Sequence, residues 1–282
     1  MNIACIPGGG MTGEARAGII DRFNPTVLTS TPSYALHLGR IMESKGMDPR
    51  KSTIRTILVG GEPAAGIVST RKRLEELWNA RLVEFYGCTE VSPHCGGYSC
   101  SASDTDRNAV TSHLMEDIQI LELVDSDSKN RVAEGERGLT VCTSLNSESS
   151  AQLRFLVGDY AVATTEPCVC GRTHMRAVGA FAGRADDLIN LRGIKMYPVQ
   201  LEEAVRSVPG IGDEYEIVLA TDAKGLDIMT ARIEHTDAQA GAKVAREVQN
   251  RCEVRVEIKV LAPGTLPKTE FKAKRIRDTR SQ

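Results

Sequence analysis

Apolar residues in the first third of the chain follow two alternating spacings. Short apolar runs at 25–28, 56–59 and 81–86 are typical of buried strands. Between these runs, apolar residues recur three and four positions apart, which predicts helices at 31–46 and 67–80. A strand at 2–7 and a short helix at 15–23 are also predicted. Strands separated by helices indicate an α/β layer with parallel pairing.

The pattern changes near residue 114. Two segments rich in apolar and β-branched residues, 118–124 and 138–143, are separated by turn residues. Residues 154–180 continue this composition. This pattern predicts an antiparallel β subdomain.

A boundary is expected within the polar stretch 183–193. Beyond it the pattern predicts, in order, a helix, two strands, a helix and a strand, which suits a small sheet with helices on one face. These elements fall at 199–208, 214–221, 227–234, 238–249 and 253–261. The basic residues at 272–280 have the composition of a solvated tail.

Composition narrows the class of protein. The chain has 282 residues, of which 41% are hydrophobic and 26% charged, as in globular proteins. A net charge of −2 argues against a basic nucleic-acid-binding surface. No apolar run reaches the ~18 residues that a membrane span needs, and no secretory signal is recognisable at the N-terminus. Eight cysteines in a chain of this length do not make a disulfide scaffold, so a reduced, cytoplasmic protein is predicted.

The most informative segment is Phe85-Tyr86-Gly87-Cys88-Thr89-Glu90, at the end of a predicted strand. An aromatic ring can stack on a base, a threonine hydroxyl can bind a phosphate oxygen, and a glutamate can hold the Mg²⁺ of a nucleoside triphosphate. By itself such a segment is more often a simple turn. However, Gly60-Gly61-Glu62-Pro63 follows the preceding strand and should lie at the same sheet edge, where α/β proteins bind ligands.

Further segments extend this set along the chain. Gly158-Asp159 supplies a carboxylate that can accept hydrogen bonds from both ribose hydroxyls, and a lysine stands near the C-terminus in Pro267-Lys268-Thr269-Glu270-Phe271-Lys272. Between them lie 183–187 (GRADD) and Arg192-Gly193.

Taken in order, these segments resemble adenylate-forming acyl-CoA synthetases, and most closely the phenylacetate–CoA ligases, a group that includes coenzyme F390 synthetases. The resemblance runs nearly from end to end and includes 31–36, 112–117 and the Cys168-Val-Cys170-Gly sequence. It implies part of a large adenylate-forming domain at 1–185, with a mixed sheet and an antiparallel β subdomain. A small, mobile α+β domain would follow at 186–282.

The resemblance also implies a two-step reaction. A carboxylic acid, here an aryl acid, attacks the α-phosphate of ATP to give an acyl-adenylate, and the thiol of CoA then displaces AMP. By position, the resemblance implies that Gly61, Glu62 and Pro63 line the adenine pocket and that Tyr86 stacks on the base. Thr89 would contact the α-phosphate, Glu90 would bind Mg²⁺ and Asp159 would bind the ribose. Gly87 and Arg184 would be further nucleotide-binding residues.

The resemblance also implies roles for residues of the small domain and of the substrate sites. Lys272 would stabilise charge on the α-phosphate, and Asp186 would be the hinge about which the small domain turns. Gly193 would face the CoA tunnel, and Tyr34 would border the acid pocket. The identity of the acid is not readable from the sequence, and a homodimer is left open.

Two departures from the family pattern stand out. Phe271 replaces the glycine that usually precedes the catalytic lysine, and the Ser/Thr/Gly-rich phosphate loop is absent. That loop is expected upstream of Met1, so the chain resembles the C-terminal two-thirds of such an enzyme. Two other functions therefore stay open: a nucleotide-binding module without turnover, and an adenylyltransferase with another acceptor, such as a deazaflavin.

A metal site is predicted from four residues on separate segments. Cys168 and Cys170, with Cys100 and His113 from another part of the chain, could complete a tetrahedral zinc site of structural type. His94 and Cys95 are competing ligands. The alternative is that these cysteines are simply small buried apolar side chains.

Overall fold

The structure is a computed structural model that describes residues 3–100, 110–148, 151–181, 183–269 and 273–280. The side chains of residues 92–95 are not described. Lys272, with Phe271, therefore lies outside the described residues, as do the side chains of His94 and Cys95.

The first part of the chain alternates helices and strands as predicted. The strands β1, β2 and β3 pair in parallel, and the helices between them bury an apolar side against the sheet. The elements are α1 (Gly13–Phe23), β1 (Val27–Ser30), α2 (Pro32–Ser44), β2 (Thr56–Val59), α3 (Val68–Trp78) and β3 (Arg81–Cys88), with a 3-10 turn at Pro49–Lys51. Of the strand predicted at 2–7, residues 3–7 are described and carry no regular structure, because they have no pairing partner among the described residues.

The antiparallel strands continue the same sheet rather than forming a separate one. Strand order in this nine-stranded sheet is β1-β2-β3-β4-β5-β9-β8-β7-β6, and pairing becomes antiparallel at β3 and β4. The added strands are β4 (Ser92–Ser99), β5 (Thr111–Leu114), β6 (Gln119–Val124), β7 (Arg137–Ser144), β8 (Phe155–Thr164) and β9 (Arg176–Val178). These strands pack around an apolar cluster that is separate from the one beneath β1–β3. The predicted β subdomain therefore has its own hydrophobic core but shares one mixed sheet with the first part of the chain.

The C-terminal part has its own core, which runs from Ile189 to Val254. A two-stranded hairpin precedes a four-stranded sheet of order β14-β13-β12-β15. The elements are β10 (Ile189–Leu191), β11 (Ile194–Met196), α4 (Pro198–Arg206), β12 (Tyr215–Thr221), β13 (Asp227–Glu234), α5 (Ala240–Cys252), β14 (Glu257–Leu261) and β15 (Ile276–Asp278). A 3-10 turn at Ala185–Asp187 leads into it. The domain limit after residue 185 stays a prediction.

The basic C-terminal segment is not a solvated tail. Residues 276–278 form β15, which pairs in parallel with β12. Arg275 is 9% exposed and its guanidinium lies 2.9 Å from Glu214, while Arg280 pairs with Asp227 and Asp278. Most of these carboxylate partners are far away in the sequence, and a composition argument does not detect such partners.

Carboxylates of the small unit dock it onto the helices of the first part. The residue at the N-cap of α3, Ile67, has no polar side chain to accept a hydrogen bond from the first turn of the helix. Glu203 of α4 supplies the acceptor instead, because its carboxylate accepts from the Ser69 backbone N–H (3.2 Å) and hydroxyl (2.8 Å). A negative charge is favourable at a helix N-terminus. Asp213 lies between Arg40 (2.8 Å) and Arg73 (2.9 Å).

No helix in the described part of the chain has the length and apolar character needed to cross a membrane.

Candidate active site

A cavity of about 830 Å³ opens where β2 and β3 end, between the large sheet and the small unit. The carboxyl ends of parallel strands meet at one sheet edge, so the loops after β2 and β3 reach the same space. Residues from the later segments join them from the opposite side. The predicted site residues that line this cavity are Gly61, Glu62, Pro63, Tyr86, Gly87, Thr89, Glu90, Asp159, Arg184 and Asp186.

The residues predicted for the acid pocket and the CoA tunnel lie elsewhere. Tyr34 packs under the Arg16 guanidinium, 4.6 Å from its ring centre, and is outside the cavity lining. Gly193 lies in the turn between β10 and β11 with φ +85°, and its N–H donates to Asn190 Oδ1 at 3.0 Å. Lys272 lies outside the described residues, but the residue that follows it, Ala273, lines the cavity.

Asp159 is the best-defined polar group of the cavity. Its side chain is 15% exposed, and the Tyr86 hydroxyl donates to Oδ2 at 2.7 Å while Arg184 lies 3.4 Å from Oδ1. Burial raises the pKa of the Asp159 carboxyl, although the hydrogen bond from Tyr86 and the charge of Arg184 act in the opposite direction. Burial and the charge of Asp159 raise the pKa of Tyr86, so its hydroxyl stays protonated as a donor. Asp159 is thus an enclosed acceptor suited to hydroxyl donors.

The aromatic wall beside Asp159 has two rings. Tyr86 stacks on Phe181 with 3.4 Å between ring centres and an angle of 11° between the planes. One face of the predicted base-stacking residue is therefore covered by protein. Phe181 is a site residue that the sequence analysis missed, because nothing in its local sequence indicates its approach to β3.

Arg184 lies between the cavity and the 3-10 turn at Ala185–Asp187. Its guanidinium is held by Asp186, with Nε–Oδ1 at 2.8 Å and Nη2–Oδ2 at 3.1 Å, as well as facing Asp159. Gly183, next to it, has φ +95°, and a Cβ there would lie 2.6 Å from the Tyr197 ring. Glycine is therefore required where the chain passes from the sheet to the small unit.

Glu84 is a further cavity residue that the sequence analysis missed. Its carboxylate accepts from the backbone N–H groups of Ala64 (3.0 Å) and Ala65 (2.8 Å), which fixes the loop that carries 61–63. Desolvation raises its pKa to about 7, although those backbone N–H groups lower it. A signal was available, because alternation along β3 places Glu84 on the same face as Leu82 and Tyr86.

Glu62 is engaged by protein donors on both oxygens. Oε2 accepts from the Ser33 backbone N–H (3.2 Å) and hydroxyl (2.6 Å), and Oε1 accepts from the Ala273 backbone N–H (2.7 Å). The loop after β2 is thereby tied to helix α2 and to the segment before β15.

The four predicted metal ligands do come together. Their ligand atoms lie within 4.8 Å of one another, with 3.8 Å between the Sγ atoms of Cys100 and Cys168 and 3.3 Å from Cys170 Sγ to His113 Nε2. A tetrahedral zinc ion with sulfur and nitrogen ligands needs edges of about 3.4–3.8 Å. The neighbouring strands β4, β5 and β9 bring the segments together, and three thiols with one imidazole are a donor set that suits zinc.

Comparison with known proteins agrees with this geometry. The family model of AMP-binding enzymes matches residues 2–144, about half of the chain, and the model of the AMP-binding enzyme C-terminal domain matches residues 193–280. The chain belongs to the AMP-binding enzyme family.

The curated proteins that are similar to this chain include phenylacetate-coenzyme A ligases. Phenylacetate-coenzyme A ligase of Thermus thermophilus is 29% identical over 294 residues, covering 96% of this chain and 64% of that protein. The phenylacetate-coenzyme A ligase of Escherichia coli (strain K12) is 26% identical over 288 residues, covering 98% of this chain and 63% of that protein. The resemblance stated from the motifs is confirmed, and the chain spans less than two-thirds of the length of these relatives.

Solved structures of a related ligase in two states show which arrangement of the sheet and the small unit this chain has. The 2-hydroxyisobutyryl-CoA ligase in the postadenylation state with 2-HIB-AMP superimposes with a TM-score of 0.87 at 28% identity, covering 96% of this chain and 57% of that chain. The same ligase with 2-HIB-AMP and CoA in the thioesterification state gives 0.60, again at 28% identity, covering 98% and 58%. The small unit is therefore placed here as in the postadenylation state.

The raised pKa of Glu84 predicts a pH-dependent contribution to stability. Between its ordinary value of 4.5 and about 7, the native state keeps a proton that the unfolded chain has released. Stability from this group is therefore present below about pH 4.5 and is lost as the pH rises to 7. Compared with Glu84→Gln, which cannot ionise, the unfolding free energy of the wild type should fall by about 1–3 kcal/mol across this window.

Urea unfolding at several pH values measures this difference. Glu76→Gln is the matched control, because Glu76 is exposed on α3. Parallel pH profiles for the wild type and Glu84→Gln would show that the Glu84 carboxyl titrates normally.

Proposed function

We propose that this protein is an ATP-dependent acid–thiol ligase that activates a carboxylic acid as its acyl-adenylate and transfers the acyl group to CoA. The observation that carries the proposal is the cavity at the sheet edge, which gathers the loops 61–63 and 86–90 with Asp159. The relatives favour an aryl acid, since they are phenylacetate-coenzyme A ligases. Location in the cytoplasm and a homodimer stay predictions.

In this proposal the nucleotide lies along the cavity. Asp159 accepts hydrogen bonds from the ribose hydroxyls, in an enclosed setting where charge-assisted bonds are strong. The adenine lies between Tyr86 and the loop 61–63, with Gly87 and Arg184 also lining the nucleotide site. Thr89 holds the α-phosphate.

The first half-reaction joins the acid to the nucleotide. A carboxylate oxygen attacks the α-phosphorus and the bond to the departing pyrophosphate breaks. Mg²⁺, for which Glu90 is the proposed ligand, neutralises the phosphate charge when bound. Lys272 stabilises the charge that develops on the α-phosphate oxygens.

The second half-reaction needs the other arrangement of the small unit. The thiol of CoA attacks the acyl carbonyl, AMP leaves, and the thiol proton is lost to solvent. We propose Asp186 as the hinge and residue 186 as the start of the mobile domain, with Gly193 beside the CoA chain and Tyr34 near the acid. The acceptor and the acid are both open to direct test.

Asp159→Asn should weaken AMP binding about tenfold or more. The amide keeps the size of the side chain but can accept hydrogen bonds on one atom only, and a hydrogen bond to a charged group contributes roughly 1.5–3 kcal/mol. Calorimetry with AMP measures the effect, and Asp127→Asn, on an exposed turn, is the control. Unchanged AMP affinity in Asp159→Asn would remove Asp159 from the nucleotide site.

We also propose that Cys100, His113, Cys168 and Cys170 bind one structural zinc ion. Elemental analysis of protein purified without chelator should give about one equivalent, following the four-ligand geometry. Cys168→Ser should lose the metal and lower the melting temperature, because metal binding contributes to folding free energy. Cys5→Ser, at an exposed thiol, should keep the metal. Zinc-free wild-type protein would refute the site.

Lys272→Ala tests the ligase reaction itself. A group that acts only in the adenylation transition state contributes to rate and little to ground-state binding. The variant should form acyl-adenylate about 10²–10³-fold more slowly, and make thioester from supplied acyl-adenylate at nearly the wild-type rate. Pyrophosphate release across a panel of aryl and fatty acids, with and without CoA, measures both the reaction and its substrate.

Lys268→Ala is the control on the same segment, since Lys268 is exposed. Equal losses in both variants would mean that only the general basicity of the segment matters. A wild-type protein that binds AMP but releases pyrophosphate with none of the acids would instead favour the nucleotide-binding module.

A further inference from the structure

The carboxylate of Glu62 joins three segments that are distant in the sequence. It follows β2, it accepts from the first turn of α2 through Ser33, and it accepts from the backbone of Ala273 just before β15. Ala273 is the residue that follows Lys272. A side chain of the loop after β2 therefore fixes the backbone next to the proposed catalytic lysine.

The donors around this junction suit an ionised carboxylate. Three donors approach its two oxygens, and one oxygen is at the N-terminus of α2, where a negative charge is favourable. An amide in its place would turn an NH₂ group towards one of these donors. Protein donors therefore occupy three of the roughly four acceptor sites of the carboxylate, so most of its hydrogen-bonding capacity is directed to the polypeptide.

A second contact supports the same segment. Arg275 Nη2 donates to the Ser33 hydroxyl at 3.3 Å, and the Arg275 guanidinium is paired with Glu214 of the small unit at 2.9 Å. The Ser33 hydroxyl thus donates one hydrogen bond to Glu62 and accepts another from the segment that Glu62 holds. These bonds form a closed ring between the two parts of the chain.

These contacts belong to one arrangement of the chain. Glu62 and Ala273 lie on opposite sides of the proposed hinge at Asp186, so rotation of the small unit would separate them. The arrangement here follows the neighbour in its postadenylation state, with a TM-score of 0.87 against 0.60 for the thioesterification state.

We propose that Glu62 is a positioning residue for the first half-reaction, which holds the 273–275 backbone against the nucleotide cavity. The proposal rests on the proposed ligase function. It differs from the role implied by family resemblance, in which Glu62 lines the adenine pocket. The adenine pocket is then formed by Gly61, Pro63 and Tyr86, and the Glu62 carboxylate acts on the polypeptide.

Hydrogen–deuterium exchange on the 282-residue chain, without ligands, tests the contact. In Glu62→Gln the amide of Ala273 should exchange about tenfold faster or more, because the single oxygen of a carboxamide cannot serve the Ser33 side and the Ala273 side together and the junction is weakened. Glu76→Gln, an exposed glutamate of the first part of the chain, should leave this exchange rate unchanged. Equal protection of the Ala273 amide in Glu62→Gln and wild type would overturn the proposal.

Half-reaction rates and AMP affinity test the role. Glu62→Gln should slow acyl-adenylate formation by about 10–10²-fold, the scale of a misplaced catalytic group, with AMP affinity within about twofold of wild type. Thioester formation from supplied acyl-adenylate should not change. Parallel loss of AMP affinity with an unchanged Ala273 exchange rate would return Glu62 to the adenine pocket.

The combination of exchange and rate measurements also separates this proposal from the ligase function. A wild-type protein that forms no acyl-adenylate refutes the ligase, and the positioning role falls with it, even where the Ala273 amide responds to Glu62→Gln. A wild type that forms acyl-adenylate, together with a Glu62→Gln variant that forms it at the same rate, overturns the positioning role alone.

Discussion

The docking of the small unit on the sheet edge is the contact on which the site depends, because the cavity has walls from both parts. Carboxylates make this contact, and each meets a complementary group: Glu203 caps helix α3, and Asp213 lies between Arg40 and Arg73. Glu62 reaches in the opposite direction, from the sheet to Ala273. The chemistry proposed for the cavity requires these contacts to form in one arrangement.

The energetics of such contacts suit a reversible arrangement. Ion pairs that remain partly exposed contribute roughly 0–1 kcal/mol each, and the removal of charges from water offsets much of the attraction in buried pairs. Asp213 shows both effects, since burial raises its pKa while Arg73 and Arg40 lower it, with a net decrease. The docked arrangement is therefore specified by geometry more than by a large free energy, which suits the proposed alternation between two half-reactions.

Sequence reasoning succeeded where neighbouring elements determine the outcome. The loops after β2 and β3 meet because parallel strands end at one edge, and Cys100, His113 and Cys168 meet because β4, β5 and β9 are neighbours. It failed where the partner is remote. Phe181 reaches Tyr86 through tertiary packing, and β15 forms only because β12 offers an edge. The bond from Ala273 to Glu62 spans 211 positions, and no local pattern encodes it.

A crystal structure of the chain with AMP bound tests the central claim most directly. We expect AMP in the sheet-edge cavity, with both ribose hydroxyls within hydrogen-bond distance of the Asp159 carboxylate and the Ala273 N–H still donating to Glu62. An AMP molecule bound elsewhere, or one bound in the cavity with its ribose turned away from Asp159, would contradict it.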